Sequence, residues 1–312
     1  MSSTSNPVTP PSADTALISV KPIVLPAPAR GTDLHIRVSA PVTGTDLPIV
    51  VFAHGFGSSL EGYAPLADYW AAHGFVVIQP THLDSKTLAL PEDDPRRPQL
   101  WRFRVEDMRL ALDHLDELES AVPGLRGRTN RDRVAAAGHS FGGQTAGILS
   151  GLRVRDPQTG QTDDLSDSRV TAGVLLATAG RGGDDLTPFA AEQLPWLRHP
   201  DFTYMTTPAL VVAGDKDILP LTVRGADWMT DPYVLAPGKK SLLTVFGGEH
   251  FLGGISGYQS AETTDENPER VAMVQQVTLA YLRHALGVDD AEWAAVHKTF
   301  ADPHPLGHLE SK

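Results

Sequence analysis

Six short apolar runs punctuate the chain: PIVVFAHG (48–55), FVVIQP (75–80), RVAAAG (133–138), VTAGVLLATAG (170–180), ALVVAGD (209–215) and SLLTVFGG (241–248). Most are unbroken in hydrophobicity rather than alternating. A strand of that kind is buried on both faces, as in a mainly parallel sheet covered by helices. Helical periodicity fills the gaps. GYAPLADYWAAHG stops at Gly74, and over 101–122 Val105, Met108, Leu112, Leu115 and Leu118 recur at three and four residues before Pro123-Gly124 ends the helix. A short helix follows Ser140 in GGQTAGILSG, and Asn267-Pro268 opens a last one to about Leu286, with asparagine as cap and proline at the first position. Ahead of the alternation, ISVKPIVLP and LHIRVSAP read as two strands joined at Gly31. The expected fold class is α/β. Ligands of such sheets bind beyond the carboxyl ends of the strands, so the residues just after each run are where chemistry is sought.

After the third run comes the stretch VAAAGHSFGGQTAG (134–147), with Gly138, Gly142 and Gly143 crowded around Ser140. Glycine and serine are common enough for this pattern to arise by chance, so the context must carry the argument. A strand-to-helix turn alone would explain small residues. A serine held on a strained turn with its hydroxyl exposed explains them too, and a hydroxyl becomes a nucleophile only with a base beside it. The later strand ends supply candidates. ALVVAGDKD offers Asp215 and Asp217, and SLLTVFGGEH offers His250. The order serine, acid, histidine is that of one known hydrolase arrangement. Asp217 is preferred because residues beyond the strand leave it room to swing back, whereas Asp215 stays in the turn. Glu249 is discounted because sequence neighbours seldom face each other. Acyl transfer also needs donors aimed at an oxyanion. The expected donors are the backbone amides of Phe141, after the nucleophile, and of Phe56 in AHGFGSS, while His54 and His139 shape the site.

Composition removes several other classes. A net charge of −12 offers no excess of cations for phosphate neutralisation, and no cysteine is present for disulfides, thiolate metal sites or a thiol nucleophile. HGFGSSL resembles a dinucleotide fingerprint, but Leu60 stands where its last glycine belongs. His304 and His308 are four apart, yet Pro305 and Gly307 argue against a helix that would pair them on a metal. No metal and no cofactor are expected. No apolar run reaches the length of a membrane span. The opening MSSTSNPVTPPSADT has no visible leader, which suits a cytoplasmic protein, or a secreted one whose leader was replaced. The expected organisation is a flexible tail (1–15), one domain (16–288) and a C-terminal extension (289–312). The connection 181–207 is long and is expected to hold a short helix or partial lid.

Taken together, HGFGSS, GHSFGG, GDKD and GGEH resemble the α/β-hydrolase superfamily. HGFVVIQPTHLDS and RVEDMRLALDHLDEL resemble its dienelactone-hydrolase-like esterases, near the platelet-activating-factor acetylhydrolase and chlorophyllase groups. The resemblance implies an α/β-hydrolase fold and a serine esterase acting on a small-molecule or polymeric ester. Two departures stand out. Dienelactone hydrolase uses a cysteine. The latter two groups carry their acid after the strand that here reads GVLLATAG, where Thr178 stands and Asp184 and Asp185 are the reserve candidates. An acid after the next strand is the pattern of polyester-hydrolase-like relatives. The function expected is cleavage of short- to medium-chain acyl esters through Ser140, Asp217 and His250. The alternatives are a lipase-like or polyester hydrolase, an acyltransferase on the same triad, or an inactive binding protein on the scaffold. Leu219, Phe251, Trp101 and Trp228 are the expected pocket residues. Nothing in the sequence sets the oligomeric state.

Overall fold

The structure is a computed structural model that describes residues 15–258, 263–301 and 304–312. The expected tail, residue 15 apart, lies outside the described residues. The strands are β1 (Leu17–Leu25), β2 (Leu34–Pro41), β3 (Leu47–Ala53), β4 (Val76–Pro80), β5 (Thr129–His139), β6 (Val170–Leu176), β7 (Ala209–Gly214), β8 (Lys240–Val245) and β9 (Gly307–Ser311). The helices are α1 (Ala64–Ala72), α2 (Leu100–Asp113), α3 (Leu115–Ala121), α4 (Phe141–Leu149), α5 (Pro188–Gln193), α6 (Asp231–Leu235), α7 (Pro268–Ala285) and α8 (Ala291–Thr299).

All nine strands form one sheet in the order β1-β2-β4-β3-β5-β6-β7-β8-β9. The six apolar runs are its parallel centre, β4-β3-β5-β6-β7-β8. Antiparallel strands finish both sides, β1 and β2 against β4, and β9 against β8. Successive strand residues face opposite ways, and β3 makes use of both faces. Val50 and Phe52 pack with α1 and α7 through Leu66, Trp70, Val274 and Val277. Ile49, Val51 and Ala53 pack with α2 and α4 through Val105, Met108, Ile148 and Leu149. Each such aliphatic side chain contributes about 1.5–3 kcal/mol on burial, which is why unbroken apolar runs sit at the centre.

Two features differ from the sequence expectation. The helix expected over 101–122 is two, because the backbone leaves the helical range at His114 (φ −108, ψ 31). The apolar stripe stays buried across the bend, so periodicity alone does not register it. Residues 289–312, set apart as an extension, supply α8 and β9. Trp293 of α8 packs edge-on against Tyr281 of α7, and Leu309 of β9 is buried. As its sequence implies, Asn267 caps α7 by accepting from the amides of Glu269 and Arg270 at 2.9 and 3.0 Å, ahead of Pro268.

Candidate active site

Ser140 follows the last residue of β5 and precedes the first of α4, in a left-handed conformation (φ 57, ψ −118) that a non-glycine residue adopts only under constraint. The surrounding backbone supplies the constraint. The Ser140 amide donates to the Leu176 carbonyl at 2.8 Å. A β-carbon at Gly138 would stand 2.2 Å from the Gly142 carbonyl oxygen. One at Gly142 would stand 2.0 Å from that of Ala53, and one at Gly143 would stand 1.8 Å from Thr178 Oγ1. The three glycines therefore bring the end of β5, the first turn of α4, the end of β3 and the start of the 178 loop together. They answer a requirement for close approach.

Past β7, the turn 214–217 separates the two aspartates. Asp215 stays in the turn and accepts the Gly247 amide at 2.7 Å. Asp217 turns inward and is 1% exposed. Past β8, His250 lies between it and the serine. Its Nδ1–H donates to the two Asp217 oxygens at 3.1 and 2.9 Å, and its Nε2 accepts from Ser140 Oγ at 2.8 Å. The structure thus brings Ser140, Asp217 and His250 into one hydrogen-bonded line. It leaves Asp184 and Asp185 exposed in a separate turn, and Glu249 bonded to Thr264. Thr178 is buried against Gly143.

Two buried networks fix the strand ends, and the sequence signalled only their histidines. In the first, Tyr63 Oη accepts the Gly55 amide at 3.0 Å and donates to His139 Nδ1 at 2.8 Å, while His139 Nε2–H donates to the His250 carbonyl at 2.7 Å. One phenol and one imidazole thus join the loop after β3, the end of β5 and the loop after β8. Burial, then the neighbouring His250, pushes His139 down to about 3, so the ring is neutral and can both accept and donate. In the second, Arg104, fully buried in α2, grips Asp84 with Nε and Nη2 at 2.8 and 2.9 Å. It also donates to the carbonyls of His54 and Gly55, and Asp84 accepts the Gly57 amide at 3.1 Å. Burial works against ionising Asp84, but the charge and hydrogen bonds of Arg104 outweigh it and hold the carboxyl below its ordinary range. His54 is pushed down to about 4 by burial and then by Arg104; it donates through Nδ1 to the Gly55 carbonyl and accepts the His82 amide. The loop 54–57 is held on either side of Phe56. Among the described residues, the amides of Phe56 and Phe141 have no protein acceptor.

A cavity of about 220 Å³ opens beside Ser140, lined among others by Phe56, Phe141, Gln144, Trp196 and Leu219. Of the expected pocket residues, Leu219 lines this cavity. Trp101 and Trp228 are not in its wall: both are fully buried core residues, Trp101 within the apolar stripe of α2 and Trp228 with its indole N–H on the Arg181 carbonyl at 3.0 Å. Phe251 packs against His139 and His250, on the imidazole side. In place of the two tryptophans, the 181–207 connection supplies Phe189 and Leu194 together with Trp196, which stacks on Phe141 at 5.6 Å. A larger open depression of about 470 Å³, beside α2 and residues 156–163, is lined by charged and amide side chains and lies away from Ser140. Among the described residues there is no group of three or more side chains that could hold a metal ion, and no helix is long and apolar enough to cross a membrane.

A family model described as "Alpha/beta hydrolase family" matches residues 50–306. A platelet-activating factor acetylhydrolase of Bos taurus is 25% identical over 221 residues, covering 57% of this chain and 46% of that protein. Cutinase est2 of Thermobifida alba is 25% identical over 210 residues, covering 66% and 54%. A platelet-activating factor acetylhydrolase of Cavia porcellus is 28% identical over 131 residues, covering 31% and 30%. The chain spans about half the length, or less, of these relatives.

Proposed function

The chain belongs to the alpha/beta hydrolase family, and from that premise we propose that it hydrolyses carboxylic esters in two acyl-transfer steps. Ser140 is the nucleophile, His250 the general base and acid, and Asp217 the carboxylate that orients the imidazole. The observation that carries the reading is the unbroken line from Ser140 Oγ through His250 to Asp217, each contact at hydrogen-bond distance.

Ser140 attacks the ester carbonyl as its proton passes to His250 Nε2. Asp217, shielded from water, stabilises the imidazolium and keeps Nδ1 protonated. The negative oxygen of the tetrahedral intermediate takes the Phe56 and Phe141 amides, which have no other acceptor, and the Arg104–Asp84 pair keeps the Phe56 loop from relaxing. His250 returns the proton to the leaving alkoxide. A water activated by the same imidazole then releases the acid. The steps as written use no metal and no cofactor.

The acyl group occupies the apolar cavity. An enclosed space of about 150 Å³ accepts benzene, so about 220 Å³ suits acyl chains of short to medium length. The names of the relatives, acetylhydrolase and cutinase, support an ester substrate. A bulky or polymeric ester, with only its acyl part inside, is a second reading. It is favoured by Phe56 and Phe189, which line the cavity yet are 58% and 63% exposed, giving it an apolar mouth.

Initial rates on p-nitrophenyl esters from acetate to palmitate, with Ser140→Ala as control, test the proposal. The expected result is a maximum at short to medium chains that vanishes in the variant. A maximum at palmitate moves the reading to a lipase-like or polyester-active enzyme, and no Ser140-dependent turnover on any ester overturns it.

A further inference from the structure

Gln144 is out of place in the acyl cavity. It lies one helical turn beyond Ser140, its amide N–H on the Ser140 carbonyl at 3.2 Å, and it lines the cavity while only 1% exposed. Neither its Oε1 nor its Nε2 has a hydrogen-bond partner among the described residues. A buried amide left this way destabilises the fold by about 1–3 kcal/mol for each unmet group, and a leucine or methionine would fill the same space without that penalty. A second wall residue repeats the pattern. Trp196, 3% exposed and stacked on Phe141, has an Nε1–H with no acceptor among the described residues. Ser140 apart, the rest of the cavity wall is apolar, with alanine, leucine and phenylalanine side chains, and among the described residues no cationic side chain lines it. Such a wall rejects a carboxylate and accepts a neutral oxygen.

We propose that Gln144, with Trp196, selects esters whose acyl chain carries a neutral oxygen, oxo or hydroxyl, a few carbons from the ester carbonyl. This rests on the esterase reading and deepens it. The separation follows from the helix: one turn rises about 5.4 Å, and helical side chains lean back towards the N-terminus, so the oxygen belongs near C4 or C5. The unmet Gln144 and Trp196 polar atoms lie just beneath the cavity surface. Rotation of the flexible Gln144 side chain brings its amide, beside the Trp196 indole N–H, onto an oxo group at that place, and a hydroxyl can in addition donate to Gln144 Oε1. Gln144 is thereby a specificity residue, acting on the remote end of the acyl group with no part in proton transfer.

The test compares p-nitrophenyl 5-oxohexanoate with its apolar isostere, the 5-methylhexanoate, and the 4-oxopentanoate with the 4-methylpentanoate. Each ratio of kcat/KM is divided by the ratio of the two esters' hydroxide-catalysed rates, which removes intrinsic reactivity. Both esters of a pair are measured on one preparation, so the folded fraction cancels. The expected result is an oxo preference of roughly tenfold or more in at least one pair. It should collapse in Gln144→Met, which keeps the volume, and weaken in Trp196→Phe, which keeps the stacked ring but loses the donor. Corrected wild-type ratios within about twofold of unity for both pairs overturn the proposal without any variant, as does a preference that survives in Gln144→Met. If neither ester of either pair is turned over while simple acyl esters are, selection by Gln144 is refuted and the esterase reading stands. If no ester is hydrolysed in a Ser140-dependent way, both fall.

Discussion

Replacing Tyr63 by phenylalanine removes one oxygen atom and leaves the ring packed on Phe52 and His139. That oxygen receives the Gly55 amide and supplies the proton held by His139 Nδ1, and all three groups are buried. Deleting it leaves two buried polar groups unmet, each costing about 1–3 kcal/mol. We predict a loss of about 2–6 kcal/mol, at the lower end if a water takes the vacated place. The same substitution elsewhere gives an internal control. Tyr281 has an equally buried hydroxyl, but it has no hydrogen-bond partner among the described residues. Tyr281→Phe should therefore be neutral or stabilising by up to about 1 kcal/mol. Both variants lose the same atom, so side-chain entropy and hydrophobic transfer nearly cancel between them. Equilibrium urea unfolding, reporting midpoint and slope separately, measures the difference. Losses agreeing within about 0.5 kcal/mol would refute the claim that the Tyr63 hydroxyl bridges the ends of β3 and β5. A kcat for Tyr63→Phe indistinguishable from wild type would likewise refute its role in holding the loops of Gly55 and His250.

Three further outcomes are expected. Asp217→Asn should lower kcat on a p-nitrophenyl ester by about 10³–10⁴-fold through the wrong imidazole tautomer, whereas Asp215→Asn should stay within about threefold; similar falls in both would reject the assignment of the acid. Arg104→Met strands the buried Asp84 carboxylate and should cost about 3–5 kcal/mol in urea unfolding, with much of it restored in Arg104→Met/Asp84→Leu; a single variant as stable as wild type would contradict the role given to the pair. Lowering the pH should destabilise the fold before the ordinary carboxylate range is reached, the buried histidines outweighing Asp107, whose carboxyl, pushed up to about 8 by burial, acts with the opposite sign. His54 and His139 sit at about 4 and about 3 against an ordinary 6.5, so below about pH 6.5 the unfolded chain takes up protons that the folded one refuses. Each histidine then removes about 1.4 kcal/mol per pH unit until its folded value is reached, and a flat urea midpoint between pH 7 and pH 5 would refute their burial in neutral form.

The parallel centre of the sheet was legible because its residues carry the signal themselves: strands buried on both faces can contain little but apolar side chains, as β3 and β7 do. The residues proposed as nucleophile, base and acid were legible as positions because chain order and strand ends limit where they fall. The supports were not. Arg104 reads as an ordinary polar residue of an amphipathic helix, and Asp84 as a loop aspartate; only folding reveals that they meet twenty residues apart beneath the Phe56 loop. Trp101 and Trp228 were misplaced for a related reason: a large aromatic side chain suits a core as well as a pocket wall, and only contacts distinguish the two. The strand β9 escaped because Pro305 and Gly307 read as breakers, and an edge strand needs few buried residues, here Gly307 and Leu309, to be held against β8. In Gln144 the sequence offered a polar residue in a small-residue helix; that its amide is unmet belongs to the folded state alone.

The proposed catalytic line draws Ser140, Asp217 and His250 from the ends of β5, β7 and β8, and β6 must be seated between β5 and β7 to join them. No fragment holding fewer than four of the central strands contains all three side chains in register. Pairings between strands so distant in sequence are slow to form, so turnover becomes a clock for the completion of the sheet. During refolding from urea, helical dichroism should return first, burial of the core tryptophans next, and hydrolysis last.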